Sequence, residues 1–515
     1  MSFSGFLPVR FILFLLLFVL VSRQGTLSAQ QSPPNVLFVS IDDLNDWVSV
    51  FGGHPAAITP HLDRFAKDGA IVFQNAHCAG PVCCISRSAM LSGFMPSRTG
   101  VYSNSQNMRE AKLIQEHATL PEYFSKHGYH SLSMGKIFHK HDTAQGVDAG
   151  QWAYDVYEPT RGGSGVDHMR VTSRNRHLIN GQPGPEETAN QASGGTEFAW
   201  GPTVQEKEET KDYTTAAWAA EQLQHSYDKP FFMAIGISKP HLPFYVPQEF
   251  FDLYPAGGNY MPPFREDDLV DILTPAGKQK FKASADYLWL KENDLLDEAA
   301  RAYLAAASYA DACLGVIFDA LKKSPHYQNT IVVVWGDHGW HLGEKLKYRK
   351  GTGWSESTRI PLLVRMPGMT RRQDCAHLVN MIDFYPTLIE LCRLPEKPVL
   401  DGRSFVPLLE NPSRKWDYPT VTINGEGNAS ARDDRWRYIR YGDGTQELYD
   451  LQDDPQEWSN LAADPSPQAR AAMKRLGNVM PKTFAKAIPK SKGKYRKVTG
   501  IDRTIKATRD LSKLK

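Results

Sequence analysis

Four stretches of this chain show no alternation of apolar and polar positions. They are Asn35-Val-Leu-Phe-Val-Ser-Ile41, Pro230-Phe-Phe-Met-Ala-Ile-Gly-Ile-Ser238, Ile331-Val-Val-Val-Trp335 and Ile360-Pro-Leu-Leu-Val364. Continuous apolar runs of strand length are expected where a strand is covered on both faces. Helical patterns lie between them. Thr59-Pro60 opens one as cap and first residue, Leu62, Phe65 and Ala66 give its apolar face, and Gly69 ends it. Asp297 to Lys323 is a long Ala-rich helix with a stripe of Leu304, Tyr309, Leu314, Ile317 and Phe318. Shorter helices are expected at 119–126, at 212–224 and after Asp383. This succession predicts an α/β fold built on a large central, mostly parallel sheet flanked by helices. Near 410–418 the pattern changes. Short strands at 419–423, 435–441 and 446–450, with turns such as Gly442-Asp443-Gly444, predict a smaller antiparallel subdomain.

The N-terminus departs from this pattern. Arg10 precedes the apolar run Phe11 to Val21, which is too short to span a bilayer, and small residues lead on to Ala29. This is the layout of a secretory signal at 1–29, which predicts a periplasmic or secreted protein with no integral membrane segment after its removal. The expected organisation is a catalytic domain over 30–415, a C-terminal subdomain over 416–480 and a basic tail over 481–515. The tail holds 12 Lys and Arg against two Asp, although the whole chain carries only +2. We read it as a solvated, partly disordered terminus. Residues 141–211, rich in Gly, Pro, Asn and Thr, are expected to form a pocket rim without regular structure. Six cysteines in 515 residues do not make a disulfide scaffold.

Chemistry collects where the apolar runs end. The first run ends in Asp42-Asp43 and the third in Gly336-Asp337-His338. Open α/β sheets place their sites at these strand ends. Adjacent carboxylates there repel one another unless a cation lies between them. The strand near 130–134 delivers Lys136 and His139, and the second run delivers Lys239 and His241. Lys345, Lys347, Arg349 and Lys350 form a basic loop after the third run. Pro81-Val-Cys83-Cys-Ile-Ser-Arg87 reads as a turn into a helix, with Arg87 one turn from Cys83 on the same face. A thiol at a helix start facing a guanidinium sits in a field that favours negative charge. Each pair alone has an ordinary structural explanation: a surface carboxylate pair, a solvated lysine, a buried Cys pair at a helix start. Together they set acids suited to a hard cation beside cations suited to an anionic substrate.

These motifs resemble, in order, the type I sulfatases of the alkaline phosphatase superfamily, and among them the iduronate-2-sulfatase-like branch. The Cys-x-x-Ser-Arg-x-x-x-Leu-Ser-Gly signature falls at Cys83, Ser86, Arg87, Leu91, Ser92 and Gly93. Ile41-Asp-Asp-Leu-Asn-Asp46, Thr59-Pro-His-Leu-Asp63, Gly135-Lys-x-x-His139, Lys239-Pro-His241, Asp337-His-Gly-Trp-x-Leu-Gly-Glu344, Asp383-x-Tyr-Pro-Thr387 and Glu447-Leu-Tyr-Asp-Leu451 also match. The resemblance covers nearly all of 35–465 and implies an alkaline phosphatase-like sandwich. It implies that Cys83 is oxidised to formylglycine by a formylglycine-generating enzyme, and that the hydrate is the nucleophile. Asp42, Asp43, Asp337 and His338, with residue 83, would hold one Ca2+. Arg87 and Lys136 would steady the hydrate, His139 would help expel the sulfated intermediate, and His241 and Lys347 would bind sulfate and assist the leaving alcohol. The implied substrate is a sulfated carbohydrate, with no nucleic-acid partner. The chain departs from the family at Ile85, where Pro or Ala is usual, and at the Asp337-His338 pair, where most members have Asp-Asn. Two alternatives share these residues: a phosphodiester or phosphonate ester hydrolase, and a non-catalytic binder of sulfated glycans. The set of Lys136, His139, His241 and Lys347 argues against the binder, which has no need of a leaving-group acid.

Overall fold

The computed structural model describes residues 1–2, 5, 33–139, 153–158, 160, 178–179, 182–183, 199–203 and 206–490. Most of the expected signal segment and of the 141–211 rim, and the tail beyond Lys490, lie outside the described residues.

The large sheet contains β1 (Asn35–Ile41), β2 (Ile71–His77), β3 (His130–Gly135), β4 (Val156–Glu158), β5 (Phe231–Ile237), β6 (Thr330–Gly336), β7 (Arg359–Ile360), β8 (Leu362–Arg365) and β9 (Gln373–Asn380). β9 pairs with β2, β2 with β7 and β8, and β8 with β6; then β6, β1, β5, β3 and β4 follow. The sheet is mixed. β7 and β8 run against the other strands, so β1, β2, β3, β5 and β6 all end on the same edge. The 141–211 segment is therefore not wholly irregular, since it supplies edge strand β4 against β3.

The apolar runs are explained by two cores. Leu37, Val39 and Ile41 of β1 enter one cluster while Val36 and Phe38 enter the other, one on each face. A strand with period-two side chains reads as continuously apolar only when both faces are covered. The helix Leu296–Lys323 buries its apolar stripe in the first cluster. It is long and apolar enough to cross a membrane, but 78% of its most apolar window is buried inside the protein. Full burial of each of its large aliphatic side chains contributes roughly 1.5–3 kcal/mol.

A second, antiparallel sheet follows: β10 (Thr420–Ile423), β11 (Ala429–Arg432), β12 (Trp436–Arg440) and β13 (Gln446–Asp450). β11 has too little apolar character to be seen in the sequence. Residues 481–490, expected to be solvated tail, are docked instead. Ala485 N donates to Ser97 O (2.7 Å), Ile488 N to Gly100 O (3.0 Å), and Gln106 Nε2 to Ile488 O (2.5 Å). Gly100 is required there, because a Cβ would meet Lys486 O at 2.4 Å.

Candidate active site

Strand register builds the acidic half of the site. Ile41 of β1 lies between Gly336 of β6 and Ile237 of β5. The ladder continues one step further, with Asp337 N donating to Ile41 O (3.3 Å) and Asp42 N to Ile237 O (3.0 Å). Asp42 and Asp337 thus emerge side by side. Asp43 follows with φ of 62°, and its N–H donates to Asp337 Oδ1 at 3.0 Å. The Tyr303 hydroxyl holds this left-handed turn by donating to Asp43 O (2.8 Å) and accepting from Asn45 N (2.8 Å).

Cys83 is the first residue of helix α1 (Cys83–Ser92) and is fully buried. Its Sγ lies 3.0 Å from Lys350 Nζ, 3.3 Å from His338 Nε2, 3.7 Å from Lys136 Nζ and 3.8 Å from Asp43 Oδ1. Burial pushes the thiol pKa up, but Lys136, Lys350 and His338 outweigh it and hold the thiol well below its ordinary value. Cys84, one residue on, belongs to an apolar core cluster. Its N–H donates to Asn104 Oδ1 (2.9 Å), and its Sγ lies 3.5 Å from Gln106 O. No disulfide joins any of the six cysteines. Ile85 packs over Gly80, where a Cβ would come within 2.3 Å of Ile85 Cγ2.

Arg87, with 0% of its side chain exposed, ties the acids together. Nε donates to Asp337 Oδ2 (2.8 Å), Nη2 to Asp42 Oδ1 (3.0 Å), and Nη1 to the carbonyls of Lys136 and Ile137. Lys136 Nζ bonds Asp42 Oδ2 at 2.5 Å. Burial alone would raise the Asp42 carboxyl, but Lys136, His241 and Arg87 hold it far below the carboxylate range. Burial pushes Asp337 up to about 6 despite Arg87 and His338. His241 Nε2 stands 3.8 Å from Asp43 Oδ2 and 4.0 Å from Asp42 Oδ2, with Nδ1 against Leu242 O. His139 favours the Cys83 thiolate, yet neither of its ring nitrogens has a hydrogen-bond partner among the described residues.

Two lysines, Lys239 and the expected sulfate-binding Lys347, turn away from Cys83. Lys239 Nζ turns back onto the carbonyls of His241 and Pro243 and braces its own loop; burial lowers its pKa to about 8. Lys347 does not reach the cluster: its Nζ bonds Lys282 O at 2.5 Å and lies over Phe281. The lysine that arrives is Lys350, whose Nζ contacts both Cys83 Sγ and Asp43 Oδ1. The chain adopts φ of 76° at Arg349, which redirects the loop between the two lysines. Sequence reasoning named Lys350 as part of a basic loop without selecting it. Which of four neighbouring cations enters a site depends on backbone turns that spacing does not encode.

The donor set fits a metal ion. Ligand atoms of Asp43, Cys83, Asp337 and His338 lie within 4.8 Å of one another, as do those of Asp42, Asp43, Cys83 and His241. Asp43 Oδ2 is buried and accepts no hydrogen bond from the described residues. His338 Nδ1 lies 2.9 Å from Gly339 O, which commits that nitrogen to donation and leaves Nε2 as a ligand. Asp42, Asp43 and Asp337 are balanced by Arg87, Lys136 and Lys350, so a divalent cation would leave the pocket net positive and suited to an anion.

Comparison with known proteins adds a decisive match. The sulfatase family model fits residues 34–393. The chain belongs to the sulfatase family. A second model, the C-terminal part of N-sulphoglucosamine sulphohydrolase, fits residues 336–483. A sulfatase from Formosa agariphila is 35% identical over 458 residues, covering 88% of this chain and 87% of that protein. Human iduronate 2-sulfatase is 28% identical over 418 residues, covering 72% and 71%. Among solved structures, the phosphonate monoester hydrolase of Agrobacterium radiobacter superposes with a TM-score of 0.66 at 22% identity, covering 86% of this chain and 94% of its own. A 2-O GAG sulfatase superposes with a TM-score of 0.62, also at 22% identity, covering 86% and 90%. These structures establish the alkaline phosphatase-like fold. This sulfatase hydrolyses sulfate esters, and its buried acidic cluster is a candidate metal site.

Proposed function

We propose that this sulfatase removes sulfate from a sulfated carbohydrate in the manner of iduronate-2-sulfatases, with Cys83 oxidised to formylglycine by a formylglycine-generating enzyme. Asp42, Asp43, Asp337 and His338 would hold Ca2+. The observation that carries this reading is the convergence of Lys136, Lys350, His338 and Asp43 on a single buried atom, Cys83 Sγ. Sulfated-sugar chemistry is supported by the human iduronate 2-sulfatase and 2-O GAG sulfatase likenesses. The exported location rests on the signal-like N-terminus.

A hydrated formylglycine supplies an oxygen nucleophile and a second hydroxyl whose collapse to the aldehyde releases sulfate, and a divalent cation supplies the charge that favours its ionised form. The protein's own groups do the rest. Lys136 and Lys350 flank residue 83 and bind the sulfuryl oxygens as charge grows on them. Arg87 holds Asp42 and Asp337 in place through separate nitrogens. His241, 26% exposed and with Nδ1 committed to Leu242 O, turns Nε2 toward the site and serves the leaving alcohol. His139 stands beside residue 83, where it favours the thiolate, and takes the proton when sulfate departs.

The test is mass spectrometry of the Cys83 peptide from protein made in its native host, with turnover of a panel of sulfated mono- and disaccharides, phosphonate monoesters and phosphodiesters. The aldehyde at residue 83 and a preferred sulfated sugar are expected. A residue left wholly as cysteine would overturn the nucleophile, and faster phosphonate or phosphodiester turnover would overturn the substrate.

A further inference from the structure

The Glu447-Leu-Tyr-Asp-Leu451 motif lies in the small C-terminal sheet, on β13, and none of its residues contacts Cys83. Its carboxylate is nevertheless tied to the loop that carries Lys350. This loop, Gly343 to Trp354, is strained. Gly343, Lys345, Leu346, Arg349 and Gly351 all have φ between 51° and 131°. Non-glycine residues in that region cost of order 1–3 kcal/mol each and persist only where surrounding contacts over-determine them.

Many of those contacts come from the C-terminal sheet and the segment just after it. Glu447 is fully buried and accepts three neutral donors: Trp354 Nε1 (2.7 Å), the Tyr441 hydroxyl (2.5 Å) and the Tyr449 hydroxyl (2.5 Å). Arg437 Nη1 and Ser430 Oγ both donate to Gly353 O, at 3.0 and 2.8 Å. Glu457 accepts from Ser355 N (2.8 Å) and Ser355 Oγ (2.9 Å) and pairs with Arg437. Lys345 reaches Asp268 Oδ1 (2.7 Å) and Glu457 O. A Cβ on Gly353 would meet Ile439 Cγ2 at 3.1 Å, tighter than an ordinary contact. The loop is fastened on both sides of Lys350 while Lys350 itself projects into the site.

We infer that Glu447 is a positioning residue for catalysis: with Arg437 and Glu457 it fixes the strained 343–354 loop and thereby the Lys350 ammonium against residue 83. The small sheet is thus part of the catalytic apparatus although it supplies no group to the reaction. The inference rests on the reading of Lys350 as a sulfate-binding group.

A double-mutant cycle tests it. Rates are corrected for the formylglycine content of each variant by mass spectrometry. Lys350→Ala alone is expected to lower kcat/KM on the order of 10²–10³-fold, as for loss of one charge-stabilising group. Glu447→Gln is expected to cost on the order of 10–100-fold through misplacement of that group. The double variant should be no slower than Lys350→Ala within about threefold, because residues acting through one another are not additive. Losses that multiply would overturn the inference. Near-full activity of Lys350→Ala would instead overturn the reading of the site. Should Glu447→Gln fail to fold, Trp354→Phe removes the same hydrogen bond from the other side and takes its place in the cycle. A readout independent of turnover is amide hydrogen exchange. It should quicken across 343–354 in Glu447→Gln and stay unchanged in β1; unchanged protection of the loop would refute the positioning role.

Discussion

The acids of this site follow directly on central strands, whereas His139, His241 and Lys350 ride on loops and Arg87 on helix α1. Asp42 and Asp337 are placed by the hydrogen-bond ladder that pairs Ile41 with Gly336, so their separation is set before any side chain acts. Lys136 leaves β3 as Asp42 leaves β1, its N–H donating to Gly236 O (3.3 Å), but His139, His241 and Lys350 stand in turns, and their positions depend on local backbone choices. The chain narrows to glycine where Lys136 leaves β3: Gly135 has φ of 84°, and a Cβ on it would meet Gly236 O at 2.0 Å. The loop carrying His241 has cis peptide bonds before Pro240 and Pro243. The difference shows where the site can vary: its acidic half is bound to the fold, while most of its cationic half can be retuned loop by loop.

The sharpest way to break the comparison is at the two groups that join the halves. Cys83→Ala should abolish sulfate ester turnover and leave the melting temperature within a few degrees, since on the proposed reading it removes the nucleophile precursor and little volume. Arg87→Ala should abolish turnover and also destabilise the fold by about 3–5 kcal/mol, because it leaves Asp337 buried without its guanidinium and Asp42 dependent on Lys136. Thermal melts with single-substrate assays separate the outcomes. An Arg87→Ala protein that melts like the parent would show that the strand ends hold the acids unaided.

Removing the proposed metal probes the acidic half next. Dialysis against a strong chelator should lower the melting temperature by an amount equivalent to about 2.7 kcal/mol if the ion is normally present at 100 times its dissociation constant. Adding back Ca2+ should restore it; recovery with another divalent ion alone would reassign the metal.

The same comparison explains how much could be read from the sequence. Asp42, Asp43, Asp337 and His338 were legible because unbroken apolar runs end at them, and a buried parallel strand announces both its length and its exit. Lys136, His139 and His241 followed from the next strand ends. That Lys350 rather than Lys347 lies against Cys83 is not legible, because the deciding feature, a left-handed Arg349, is a conformation that arginine does not advertise. Strand β11 was missed because Ala429-Ser-Ala-Arg432 has no strong strand formers and owes its state to neighbours on both sides. Residues 481–490 looked like solvated tail because their anchors are mostly backbone groups, which composition does not reveal.

That docked segment gives a smaller effect. Truncation after Met480 removes the partners of Ser97, Gly100 and Gln106 and should cost about 2–4 kcal/mol, at about 1 kcal/mol for each hydrogen bond lost. Gln106 O and Asn104 contact Cys84, so some loss of activity should accompany it. Truncation after Lys490 keeps every one of those bonds and should match the parent in differential scanning calorimetry. Equal melting of both truncated forms would show that the segment adds nothing.

The smallest effect should come from Lys347→Ala. Its ammonium bonds a single backbone carbonyl, Lys282 O, and lies over Phe281, so the variant loses about 1 kcal/mol of stability and no contact to Cys83, Asp42 or Asp43. Its kcat/KM should stay within about threefold of the parent, against the far larger loss at Lys350→Ala. The two lysines are three residues apart in one loop and carry the same charge, so long-range electrostatics affects both alike and only direct contact distinguishes them. A large loss for Lys347→Ala on a polymeric substrate with none on a small one would place Lys347 at a distal sugar subsite. A large loss on both would mean that the loop inverts its lysines when substrate binds, and that the cationic half of the site is formed only in the complex.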